Sequence, residues 1–188
     1  MFLAERNQGA FAVGIETQVE GIMTTTTSPS TSSSSTNSSG SFSSQQQQQQ
    51  QRPKRISVSE VEAEEAIYME SVESRHSDHA FARRVAETCG IKIEPLRLDS
   101  QVKYGVIASG VASAFMRFPD LTYKEKIWDH AAGAIIMSEA GGLVTDSTGK
   151  KLDFSKGRLL NNESGIVAAP PKLHSKIIAA IKSLQANT

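Results

Sequence analysis

An α/β fold is predicted for the chain, and three observations carry the prediction. Apolar stretches of strand length alternate with helical ones from Ile56 to the C-terminus. One stretch, Tyr123 to Leu143, reads as a helix closed by Gly141-Gly142, with Asp129 placed to cap its start. A last amphipathic helix opens at Pro170-Pro171, with Ile177, Ile178, Ile181 and Leu184 as its apolar stripe.

Met1 to Glu16 reads as two short strands around a turn at Asn7 to Gly9. Residues 23–52 are Thr-, Ser- and Gln-rich, and a segment of that composition buries too little apolar surface to offset the entropy of ordering. It is expected to be a disordered insertion without chemistry, and a phosphorylation or condensate role for it is the alternative. The basic Pro53-Lys54-Arg55 that follows reads as a solvated loop end rather than a nuclear address. The expected organisation is therefore a partial hairpin over 1–22, an insertion over 23–53 and an α/β domain over 54–188.

Within that domain, Ile56 to Val58 and Ala66 to Met69 are expected strands, with acidic Val61 to Glu65 as a connection. A helix over Ala80 to Thr88 stops at Gly90, and a strand over Ile93 to Leu98 follows. Asp99-Ser100 opens a helix ending near Gly110, and Ala112 to Phe118 is a strand ending at Arg117. In the central helix Ala132, Ile135, Ile136 and Ala140 recur at helical spacing, and the small Ala131 to Ala134 run would let another group approach its first turn. Trp128 is expected to be buried beside Asp129. Strands follow over Leu143 to Thr145 and Gly165 to Ala168.

The bulk numbers exclude several classes. The 188 residues suffice for one domain, and 20 basic against 20 acidic residues give zero net charge, which argues against a non-specific nucleic-acid binder. Cys89 is the single cysteine, so an intramolecular disulfide framework is excluded. No apolar run reaches a membrane span and no signal peptide opens the chain, which predicts a cytoplasmic protein.

In α/β folds ligands collect at strand C-termini and helix N-termini. His76, Ser100, Lys103, Arg117 and Asp129 fall at such places. Together they would supply an imidazole, a hydroxyl, two cations and a carboxylate, a set suited to phosphate. Taken singly, each has a plain structural reading: a surface histidine, an N-capping serine, a solvated lysine, an edge arginine and a capping aspartate. Ser100 to Lys103 also fits the Ser-x-x-Lys hydrolase pattern, but no partner motif accompanies it.

The run Tyr-Lys-Glu-Lys-Ile-Trp-Asp-His-Ala-Ala-Gly at 123–133, followed by Glu-Ala-Gly-Gly, resembles the C-terminal signature of the inositol-monophosphatase superfamily. With Glu-Ser-Val-Glu-Ser-Arg-His-Ser at 70–77 and Leu-Asp-Ser-Gln-Val-Lys-Tyr at 98–104, it is most like the 3'(2'),5'-bisphosphate nucleotidases. The resemblance implies the C-terminal half of a layered α/β sandwich. It also implies a Mg²⁺-dependent, lithium-sensitive phosphatase that removes the 3'-phosphate of adenosine 3',5'-bisphosphate or a related sulfonucleotide, tied to sulfur assimilation. By the same resemblance His76, Ser100, Lys103, Arg117 and Asp129 contact the nucleotide, and Asp129 also binds metal.

The family's other metal carboxylates come from an early Asp, a Glu-Glu pair and Asp-Pro-Ile-Asp-Gly-Thr, and none of these motifs occurs in this sequence. Glu64-Glu65 is the one acidic pair of that form, in the wrong place and in a connection. The expectation is a half enzyme that opens inside a hairpin, with weak or no activity alone. Its partners would be a separate N-terminal half or a second copy, covering an exposed apolar face. A non-catalytic nucleotide-binding or interaction module is the alternative.

Overall fold

A computed structural model describes residues 1–13, 52–74, 77–120, 123–160 and 165–186. The expected site residue His76 and nearly all of the Ser/Thr/Gln-rich tract lie outside them.

Two sheets form. Strands β1 (Phe2–Glu5), β2 (Gly9–Ala12) and β3 (Lys54–Ile56) make an antiparallel three-stranded sheet with β2 in the middle. The expected hairpin is there, and Asn7 makes its turn with φ 64°, a left-handed conformation that Asn tolerates better than most side chains. The strand expected over Ile56 to Val58 lies earlier, because β2 pairs with Lys54 to Ile56. Val58 instead donates its N–H to Ala140 O at 2.9 Å.

The second sheet has five strands in the order β5-β4-β6-β8-β7. Its members are β4 (Tyr68–Glu70), β5 (Leu96–Arg97), β6 (Ala114–Arg117), β7 (Leu143–Asp146) and β8 (Ile166–Ala169). β4 runs parallel to both β5 and β6, whereas β8 is antiparallel to β6 and β7. The strand expected over Ile93 to Leu98 shrinks to two residues at the sheet edge, and the acidic pair Glu64-Glu65 closes a short 3-10 turn (Ala63–Glu65) instead of lying in open loop.

Among the described residues there are four α-helices: α1 (His79–Cys89), α2 (Val102–Ala108), α3 (Ala131–Glu139) and α4 (Pro171–Ala186). α1 is the clearest case of local sequence setting both ends. Asp78 Oδ1 accepts the Phe81 N–H at 2.9 Å, and Gly90 at φ 84° takes the left-handed C-terminal position.

The central strands are buried on both faces, and alternate residues point to opposite cores. Tyr68, Met116, Val167 and Ala169 face α1 and α4, meeting Val85, Leu173, Ile177 and Ile181. Met69, Phe115, Ile166 and Ala168 face the other way, onto Tyr104, Ile107 and Met137 of α2 and α3. The three-stranded sheet covers the far side of α3, and the Phe2 ring lies over Gly105 of α2 so closely that no Cβ fits there. The layers are sheet, helices, sheet, helices, a layered α/β sandwich as expected.

Because α3 lies between two sheets, it has no polar face. Gly133, Ala134 and Met137 are its buried residues; of the expected stripe Ala140 is buried, Ile135 and Ile136 are half-buried and Ala132 is exposed. The small first turn accepts a protein side chain, since a Cβ on Gly133 would overlap the Tyr104 ring.

Candidate functional site

The C-terminal ends of the parallel strands β4, β5 and β6 open onto a cleft of about 400 Å³. Ser100, Lys103, Arg117 and Asp129, four of the five residues expected from the sequence, line it together, and the fifth, His76, lies outside the described residues. Glu73, Asp99, Gln101, Tyr104, Phe115, Tyr123 and His130 complete the walls.

Ser100 stands between β5 and α2 at φ 67°. A serine pays for the left-handed region only where its surroundings fix it, and such positions concentrate at functional sites. It does not cap α2, whose N-terminal flank is Gln101. Its Oγ accepts the Val102 N–H at 3.3 Å, and Asp99 turns away to accept the Val72 N–H at 3.1 Å, tying the loop after β5 to the loop after β4.

Lys103 is 3% exposed. Its Nζ donates to Leu98 O at 2.7 Å and lies 5.0 Å from the Phe115 ring centroid. Burial, reinforced by the charge of Arg117 and opposed by Asp99 and Glu125, lowers its pKa from 10.5 to about 8. It is a cation held under strain of desolvation and ready to gain from an anion.

Arg117 ends β6 as expected. Its Nε donates to Glu125 Oε1 and its Nη1 to Ser71 Oγ at 3.0 Å, and its guanidinium lies 5.6 Å from the Tyr123 ring centroid. Glu125 is 1% exposed, and its second oxygen accepts from His130 Nε2 at 3.0 Å. Burial would raise the carboxyl pKa, but hydrogen bonding to His130 and the charge of Arg117 outweigh it and hold the group below the usual range. The other ring nitrogen of His130 meets Tyr104 Oη at 2.7 Å. Burial, with Glu125 adding to it, raises the Tyr104 pKa, so the phenol stays protonated.

Asp129 is the last residue of a 3-10 turn (Ile127–Asp129), and the N-terminal flank of α3 is His130, so the expected capping role is absent. The turn is strapped from α2 by Gln101, which donates to Trp128 O at 2.6 Å and accepts from the Gly133 N–H at 3.0 Å. Asp129 is thereby left to face the cleft with its carboxylate uncommitted to the helix. Trp128, expected to be buried, is 52% exposed and stacks under Arg158, 5.8 Å from its ring centroid. It is half in solvent because the turn points it outward.

Sequence reasoning missed Glu125, His130, Tyr104 and Gln101. Each sits inside a quoted motif, but nothing in spacing distinguishes a buried hydrogen-bonding residue from a solvated one. Among the described residues no three His, Cys, Asp or Glu side chains are grouped to hold a metal ion. Asp129 offers one carboxylate, whereas Mg²⁺ requires near-octahedral oxygen coordination, so the described residues by themselves do not form a complete magnesium site. No helix among them is long and apolar enough to cross a membrane.

Comparison with known proteins places the chain in a family. The chain is 45% identical over 130 residues to a 3'(2'),5'-bisphosphate nucleotidase of Oryza sativa, covering 69% of this chain and 36% of the relative. It is 47% identical over 121 residues to the Emericella nidulans enzyme of the same name, covering 64% and 34%. The chain thus spans about a third of the length of these curated relatives. Two solved structures share the fold: SuhB of Bartonella henselae (TM-score 0.51, 23% identity, 68% of this chain and 46% of that one) and the IMPase of Thermotoga maritima (TM-score 0.52, 21% identity, 71% and 47%). The model of the inositol monophosphatase family matches residues 1–186, and the chain belongs to that family.

Proposed function

We propose that this chain forms the nucleotide-holding part of a 3'(2'),5'-bisphosphate nucleotidase, an enzyme that hydrolyses the 3'-phosphate of adenosine 3',5'-bisphosphate to leave AMP. The observation that carries the reading is the convergence of Ser100, Lys103, Arg117 and Asp129 on one cleft at the ends of three parallel strands. Two cations and a strained serine suit a doubly phosphorylated ligand, because an incoming phosphate stabilises the buried Lys103 in its charged form. His76 is assigned the same role by its place in the motif at 70–77.

The reaction in this family uses Mg²⁺, and Asp129 is the residue here that would contribute to holding it. No catalytic step is derived through the metal, since one carboxylate does not make the site. A second reading, a nucleotide-binding module without catalysis, is favoured by the absence of a three-residue metal cluster among the described residues.

The test is phosphate release from adenosine 3',5'-bisphosphate with Mg²⁺, with and without Li⁺, alongside calorimetric titration of the nucleotide. Binding that weakens at least tenfold in Lys103→Ala and Arg117→Ala supports the nucleotide site. Lithium-sensitive turnover that disappears in Asp129→Asn would establish the enzyme, and turnover absent despite binding would leave the binding module. No binding at all refutes the reading.

A further inference from the structure

Glu125 does not line the cleft, yet it is its best-connected buried charge. Both carboxylate oxygens face donors: Arg117 Nε–H on one and His130 Nε2–H on the other. In the neutral imidazole this arrangement leaves Nδ1 as the acceptor for the Tyr104 hydroxyl. Every link is buried or nearly so, with Glu125 at 1%, Tyr104 at 1% and His130 at 3% exposure. Ser71 takes a second guanidinium nitrogen, so Arg117 is gripped from two sides, by the residue that follows β4 and by the segment leading to the 3-10 turn. The Glu125 backbone is fixed as well, since its carbonyl accepts the Leu160 N–H at 2.9 Å.

We propose that Glu125 is a positioning residue that aims the Arg117 guanidinium at the phosphate, with His130 and Tyr104 bracing it from behind; the inference rests on the nucleotide reading of the cleft. The physical reason is entropic and geometric. A free arginine side chain must be ordered when a phosphate binds, at a cost in rotamer freedom. A guanidinium already clamped through Nε by a buried carboxylate has met that cost on folding, and its remaining edge is presented in one plane to the ligand. Because both partners are donors, the role requires an acceptor on both oxygens, which an amide cannot provide.

The test is a double-mutant cycle on nucleotide affinity in magnesium-free buffer. Glu125→Gln is expected to weaken adenosine 3',5'-bisphosphate binding about tenfold, close to Arg117→Ala itself. In the Arg117→Ala background the same change is expected to add less than about twofold, because Glu125 acts through Arg117. A loss that persists in full in that background, or no loss in the single variant, overturns the inference while leaving the nucleotide site standing. Failure of the wild-type chain to bind the nucleotide overturns the cleft reading and this inference together. Should Glu125→Gln not fold, Tyr104→Phe removes only the hydroxyl at the far end of the brace. It is expected to weaken binding about threefold, and only when Arg117 is present; unchanged affinity, or an equal loss without Arg117, would refute the proposal.

Discussion

Lys103 gives the sharpest opposition between stability and binding. In the unfolded chain its ammonium holds its proton to about pH 10.4, whereas the folded chain releases it near 8. The folded pKa is lowered, so the folded state carries a penalty at pH 7, and stability gains as pH rises from about 8 towards 10.5. A fall from 10.5 to about 8 corresponds to about 3 kcal/mol of penalty. Lys103→Met keeps the length and most of the volume of the stem and removes the charge. It forfeits the bond to Leu98 O and the contact with the Phe115 ring, which together are worth about 2–3 kcal/mol. The variant is therefore expected to lie within about 1 kcal/mol of the wild type at pH 7 and to lose nucleotide binding. Urea unfolding of both proteins at pH 7, 8, 9 and 10 checks this, because other titrating groups cancel in the difference. Wild type should gain on the variant as pH rises. A variant weaker by several kcal/mol at pH 7, with a constant difference to pH 10, would refute the reasoning.

Two further outcomes follow from packing and from hairpin attachment. Gly133→Ala places a methyl group into the Tyr104 ring, so it is expected to cost about 1–3 kcal/mol and to weaken nucleotide binding by shifting the phenol off His130; a denaturant midpoint and a titration report both. Glu139 accepts the Asn7 N–H at 2.8 Å and the Gly9 N–H at 3.0 Å from the end of α3, and these bonds hold its carboxyl pKa down. Glu139→Ala is expected to speed hydrogen exchange at those two amides while leaving α1 and α4 protected, and the same selective loosening should appear in the wild type as pH falls through the lowered carboxyl pKa.

The strand and helix order was legible because apolar stretches of strand and helix length alternate between turn residues. Side-chain period is visible in the five-stranded sheet at Tyr68 and Met69, which face opposite cores, and in the last helix at Ile177 and Ile181, which fall on one buried stripe. Capping chemistry at Asp78 and Gly90 fixed the ends of α1 in the same local way. The cleft residues Ser100, Lys103, Arg117 and Asp129 were legible for a different reason: their short motifs resemble a family's, and strand–helix junctions place them on one rim. Local sequence misjudged what depends on neighbours distant in the chain. The buried face of α3 is set by a sheet on each side, and its Gly133 receives the Tyr104 ring from α2 and the Gln101 side chain from just before it. Asp129 does not cap α3 because a 3-10 turn ends on it and places His130 at the helix start. The link from Arg117 through Glu125 and His130 to Tyr104 joins residues up to 26 apart in sequence, and no periodicity records it. The sequence alone determined the order of strands and helices, since apolar length and turn residues are local, whereas pairing set the bounds of β3 and β5. Only the tertiary structure decided which polar groups are buried together, because desolvation and hydrogen-bond partners exist only once the layers close.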